Sequence, residues 1–174
     1  MPEITIRMLK SQDLHQLTEI YADPEAYSNT LQLPYPAPEQ WQSLLTRPGH
    51  TSLVAARAEE ILGHTGIDMI ARPRRRHVAT FGVVVTASAR GKGVGSALVG
   101  AAVDVCERWA NITRIELQVY TDNHAAIAIY KKHGFVIEGT GRQYAVREGT
   151  LVDAHYMVRL RAEAGGEPPV PEGS

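Results

Sequence analysis

Apolar residues recur along the chain in two different periods, and each change of period marks a new element. Ile4, Ile6 and Met8 alternate with Thr5 and Arg7, which predicts a short first strand. Ser11 then caps a helix whose stripe is Leu14, Leu17, Ile20 and Tyr21. Pro34, Pro36 and Pro38 forbid a continuous helix through residues 23–38. A second short helix is predicted to start near Pro38, with Trp41, Leu44 and Leu45 on one face, and to stop by Pro48-Gly49.

From Thr51 the pattern is that of strands. Residues 53–56, 61–70 and 77–86 read as a meander, broken by a turn at Glu59-Glu60 and a basic turn at residues 72–76. The strongest helix begins near Val94, its stripe running through Ala97, Leu98, Ala101, Ala102, Val105 and Trp109. A strand at 114–120 follows, then a helix at 123–133 with Ala126, Ile127 and Tyr130 on one face and Gly134 at its stop. Strands at 135–146 and 150–160 complete the pattern. The strand–helix–strand unit between Phe81 and Tyr120 is a crossover, so its two strands should be parallel neighbours. The prediction is an α/β (α+β) fold: a mixed, mostly antiparallel twisted sheet of about seven strands, with helices on both faces. Residues 1–162 make a single domain, and 163–174, rich in Gly, Pro and Glu, are predicted to be a disordered tail.

Composition narrows the function. A chain of 174 residues fits one domain, and its net charge of −1 provides no field to recruit nucleic acid or an anionic membrane. No apolar run reaches the ~20 residues that span a bilayer, and the first residues lack the pattern of a signal peptide. A single cysteine, Cys106, excludes an intrachain disulfide framework and reads as a small core residue. The expected compartment is a reducing cytoplasm. The seven histidines show no paired ligand spacing, so no metal is expected.

The richest chemical signal is Arg90-Gly91-Lys92-Gly93-Val94-Gly95, between the most apolar strand and the longest helix. A first helical turn leaves backbone N–H groups unpaired, and the helix dipole adds partial positive charge there. Glycines let those groups converge, and Arg90 and Lys92 add full charges, which together describe a phosphate cradle. A Walker loop would need Ser or Thr after Lys92, where Gly93 stands. A dinucleotide loop would need a small third residue, where Leu98 stands. A purely structural glycine turn is the plain alternative.

That loop, after a strand ending Val83-Val84-Val85, resembles the coenzyme A loop R/Q-x-x-G-x-G/A of GNAT acetyltransferases. A second segment, from Asn123 through Ala126, Ile127 and Tyr130 to Gly134-Phe135, is similar to that family's N-x-x-A-I-x-x-Y-x-x-x-G-F. Residues 73–79 and 138–141 further resemble a bacterial L-amino acid N-acyltransferase branch. The resemblance implies acetyl-CoA as co-substrate. Arg90, Gly91, Lys92, Gly93, Val94 and Gly95 would hold its pyrophosphate, while the backbone of Val83, Val84 and Val85 pairs with its pantetheine arm between splayed strands. One N–H of that strand would stabilise the oxyanion on the acetyl carbonyl. Asn123 would touch the coenzyme, cap its own helix, or both. Tyr130 would give a proton to the departing thiolate, against the alternative of plain core packing. Glu116 is the candidate base for the amine, against a role in a strand-face ion pair, because Gln118 stands where some relatives carry a glutamate.

The amine pocket is expected from the irregular segment 27–36, through Tyr27, Leu31 and Tyr35, and from Tyr144, Asp153, His155 and Tyr156 on the later strands. Arg72, Arg74, Arg75 and Arg76 read as a solvated turn, or else as a carboxylate site. The implied partner is a small-molecule amine, with no nucleic acid and no membrane. A homodimer is the assembly the family suggests, although no residue demonstrates one. Two other readings remain: an enzyme acting on a protein N-terminus or lysine, and a non-catalytic acetyl-CoA-binding module.

Overall fold

The computed structural model describes residues 3–162, so the predicted disordered tail lies outside the described residues. Seven strands, β1 (Ile4–Met8), β2 (His50–Arg57), β3 (Glu60–Met69), β4 (Val78–Val85), β5 (Arg114–Tyr120), β6 (Val136–Arg147) and β7 (Thr150–Leu160), form one sheet in the order β1-β2-β3-β4-β5-β7-β6. Every neighbouring pair is antiparallel except β4 and β5. Sheet class, strand content and the single parallel pair agree with the expectation from the sequence.

Alternation along the strands decides which helix covers which face. Leu53, Ile67, Phe81, Ile115 and Leu117 point to one side, where α3 (Val94–Asp104) and α4 (His124–Lys132) bury them with Val99, Ala102 and Tyr130. Val54, Ile61 and Val84 contribute to the opposite cluster, under α1 (Leu14–Ala22), α2 (Pro24–Ser28) and a 3-10 segment, Pro38–Leu45. Leu17 and Leu98 are fully buried, one on each side; truncating either to alanine should cost about 2–5 kcal/mol.

Three local details depart from the expected pattern. Within residues 23–38 a short helix, α2, does form: Pro24 occupies its first turn and the Asp23 carboxylate accepts from the Glu25 N–H at 3.1 Å. Ser11 does not cap α1; it opens a 3-10 turn, and Asp13, held by Arg7 at 2.8 Å, stands before the helix. The long helix ends in a π turn, Val105–Trp109, whose Ala110 N–H donates to the Val105 carbonyl. The buried row there is Leu98, Ala102 and Cys106, while Ala97 is exposed and Trp109, expected inside, is 77% exposed.

Candidate active site

β4 and β5 pair only at Val78–Arg114 and Ala79–Ile115, and then diverge. The divergence opens a cleft of about 860 Å3 through the middle of the sheet. Hydrogen-bond parity fixes what faces the gap. The Thr86 N–H donates to Leu62 and the Val78 carbonyl accepts from Ile70, so even-numbered β4 residues turn their backbone toward β3. Val83 and Val85 therefore present free N–H and C=O groups to the cleft, whereas the backbone of Val84 is committed to β3. Of the three valines expected to offer backbone contacts, the geometry leaves two able to do so.

The glycine loop closes one end of this cleft. Gly91 and Gly93 lie at φ +73° and +83°, left-handed values that disfavour other residues, and a Cβ at either would meet nothing within 4 Å. Gly95 is needed for a different reason. A Cβ there would stand 3.2 Å from Ile129 and 3.5 Å from Val85, where α3, α4 and β4 meet. Arg90 does not hang free: it binds Asp23 at 2.8 Å and Glu25 at 2.6 Å, tying the loop to α2. Lys92 donates to the Ser88 carbonyl at 2.9 Å, and Val94 is core; neither side chain lines the cleft.

Asn123 lines the cleft and also caps α4, its Oδ1 accepting from the Ala126 N–H at 3.3 Å. Two turns further, Tyr130 packs its ring against Phe81 and Phe135, with centroids 6.4 and 5.6 Å away. Burial pushes its phenol up to about 12, so the hydroxyl holds its proton at neutral pH and is available as a donor. Among the described residues no side-chain oxygen is buried without a partner, and the Tyr130 hydroxyl makes no bond to protein. It reaches the cleft.

Glu116 lies elsewhere. Its carboxylate is taken by Arg75 at 2.5 Å and Arg114 at 2.9 Å, and it does not line the cleft. The strand-face ion pair, weighed against a base from the sequence, is what the fold builds. The carboxylates that do line the cleft are Glu25, occupied by Arg90, and Asp68 on β3.

The expected amine-pocket residues divide. Leu31 and Tyr144 line the cleft, and Tyr144 stacks edge-on against Tyr156. Tyr27, Tyr35 and His155 do not: Tyr35 is 96% exposed, and His155 bonds Thr140 at 2.8 Å. Asp153 accepts from the Gln143 N–H. Asn29 and Gln32 of the expected segment line the cleft instead, with Asp68 and Tyr120, which the sequence reading did not name for the pocket, and Tyr120 donates to the Thr30 carbonyl at 2.9 Å, pinning the 29–32 loop over β5.

The model of the acetyltransferase (GNAT) family matches residues 14–135. The chain belongs to the GNAT family. Within it, the chain is 47% identical over 162 residues to the Escherichia coli L-amino acid N-acetyltransferase AaaT, covering 92% of this chain and all of that one. A Streptococcus pneumoniae GNAT acetyltransferase superposes with a TM-score of 0.79 at 26% identity, over 92% of this chain and all of that one. The fold is shared as well with yncA of Salmonella typhimurium, solved with its cofactor acetyl-CoA, at a TM-score of 0.83 and 20% identity, over 97% and 99% of the two chains. Acetyl-CoA is the co-substrate of this GNAT chain.

Proposed function

We propose that the protein transfers acetyl from acetyl-CoA to the α-amino group of free L-amino acids by direct attack. The observation that carries this reading is the cleft itself, with a protonated phenol on one wall and an unpaired β4 edge beside it. The 47% identity to an L-amino acid N-acetyltransferase supports the acceptor.

The roles follow from position. N–H groups around Gly91, Gly93 and Gly95 grip the pyrophosphate, with the α3 dipole behind them. The pantetheine arm lies along β4, using the groups of Val83 and Val85 that no strand occupies. A free N–H there stabilises charge developing on the thioester oxygen. The amine attacks the carbonyl carbon, the C–S bond breaks, Tyr130 gives its proton to the leaving sulfur, and the proton lost by the attacking nitrogen passes through solvent, from which the phenol is restored. Cys106 takes no part, since it is fully buried and its thiol is pushed up to about 12 by burial and by Glu107. The protein works in the cytoplasm, as one domain spanning 1–162, and a homodimer is its proposed assembly.

The test is a panel of acceptors scored for thiol release from acetyl-CoA: the common L-amino acids, two polyamines and a peptide with a free N-terminus. Turnover should be highest with free amino acids. Preference for the peptide or the polyamines would contradict the reading.

A further inference from the structure

Behind the cleft, between α1, the segment Pro38–Leu45 and β2–β3, lies a second cavity of about 360 Å3. It shares Gly66, Asp68 and Gly82 with the cleft, and Gly66 and Gly82 stand opposite each other across β3 and β4. The two spaces adjoin there: a Cβ at Gly82 would meet nothing within 4 Å, while the position of a Cβ at Gly66 is covered by the His50 ring at 3.0 Å.

The wall there carries a chain of hydrogen bonds. Tyr21 Oη lies 2.9 Å from His64 Nδ1, and His64 Nε2 lies 3.0 Å from Ser52 Oγ. Ser52 Oγ lies 2.8 Å from His50 Nε2, and His50 Nδ1 lies 2.8 Å from Asp68 Oδ1. The last link fixes the tautomer of a neutral His50, and the other protons follow from it. An ionised carboxylate only accepts, so His50 donates from Nδ1, and in the neutral form of the ring its Nε2 accepts from Ser52. Ser52 then accepts from His64 Nε2, whose Nδ1 accepts from Tyr21. Burial, aided by the charge of His50 whenever that ring is protonated, pushes His64 down to about 3 and keeps it neutral throughout.

Ser52, His50 and Asp68 thus have the connectivity of a hydrolytic triad, but Ser52 is only 5% exposed and its hydroxyl already has two partners. No substrate reaches it. The chain ends at the cleft in a fixed carboxylate: Oδ1 of Asp68 is held by His50 and by Arg47 Nη2 at 2.8 Å, and Oδ2 bonds nothing among the described residues. Arg47 likewise commits Nη2 and leaves Nε and Nη1 free; its 2.9 Å approach to His50 Nδ1 is a contact, because that nitrogen is donating. Both side chains are nearly half exposed, at 46% and 44%, while His50 beneath them is 3% exposed.

The geometry points to an amino-acid subsite at this pair, in which Asp68 receives the α-ammonium of the acceptor, which releases a proton to solvent before it attacks, and Arg47 its α-carboxylate. It rests on the reading of the protein as an acetyltransferase of small amines. Two opposite charges fixed side by side match the two charges that an amino acid carries on one carbon. The substrate side chain enters the second cavity beside Trp41 and Leu44. Polyamines lack the carboxylate and meet the Arg47 charge; a peptide N-terminus has its carboxylate replaced by an amide. His50 touches no substrate and serves as a positioning residue for Asp68.

The experiment compares the best L-amino acid acceptor with its primary amide, by thiol release, in the wild type and in Arg47→Gln. The wild type should favour the free acid by about ten- to a hundredfold in kcat/KM. In Arg47→Gln that ratio should fall toward one through KM, with the melting midpoint and the KM for acetyl-CoA checked in parallel. Asp68→Asn should lower kcat/KM for acid and amide together. A preference kept by Arg47→Gln, or absent from the wild type, overturns the subsite while leaving acetyl transfer in place. No thiol release from either acceptor by the wild type overturns the underlying reading, and the subsite with it.

Discussion

The two walls of the cleft are made of different material. On the wall proposed for the coenzyme, backbone does the work: free N–H groups of the glycine loop and of Val83 and Val85, with one side chain, Tyr130, added. On the wall proposed for the acceptor, side chains from separate elements do it: Arg47 before β2, His50 at its start, Asp68 near the end of β3. A backbone site needs a path, and a path is set by a few consecutive residues. A side-chain site needs a register between strands distant in sequence. The difference separates a feature that many acceptors can share from one that selects among them.

Several outcomes would break or sharpen that contrast. The largest effect belongs to the coenzyme wall. Tyr130→Phe should lower kcat by about 10²–10⁴-fold with little change in acetyl-CoA affinity. A fully active variant, measured by thiol release, would make Tyr130 core packing alone.

Next in size is a stability effect of the acceptor wall. The folded His64 imidazole titrates near 3, against 6.5 for the free side chain, because burial opposes its charge. As pH falls below about 6.5 the unfolded chain takes up a proton that the folded chain refuses, so stability declines down to about pH 3. Between pH 7.5 and 5 urea unfolding should show a loss on the order of 2 kcal/mol from this group. His64→Gln should flatten the slope. A flat wild-type profile would mean that the hydrogen-bonded chain from Tyr21 to Asp68 is not closed in solution.

The smallest effect concerns a residue on neither wall. Glu116→Gln should leave turnover nearly unchanged and cost at most about 1 kcal/mol, since its ion pairs with Arg75 and Arg114 lie near the surface. A loss of about tenfold or more in kcat/KM would restore it as the base.

What could be read from the sequence follows the same division. The glycine loop, the caps at Asn123 and Gly134, and the splayed parallel pair are local or topological, and all are present in the fold. The Arg47–His50–Asp68 cluster was hidden by one residue. From the β2–β3 turn the strands begin in register with Arg57 opposite Glu60, but a bulge at Ala55/Ala56 shifts the pairing. Asp68 therefore stands opposite His50, a place the unshifted hairpin would give to Ile67. Glu116 misled for a related reason. Its face was right, but its partners, Arg75 from the basic turn and Arg114 two residues before it, could be assigned only once the turn had a position. Trp109 was placed inside by a helical period that the π turn interrupts.

The central claim is that the loop path through residues 91–95 holds the coenzyme, and calorimetric titration of coenzyme A into the wild type and Gly93→Val tests it most directly. A side chain at position 93 meets nothing within 4 Å, so the substitution perturbs the left-handed path without a clash. Expected is one site per chain in the wild type, weakened about tenfold or more in the variant while the melting transition survives. No heat from the wild type, or equal affinity in both, would contradict it.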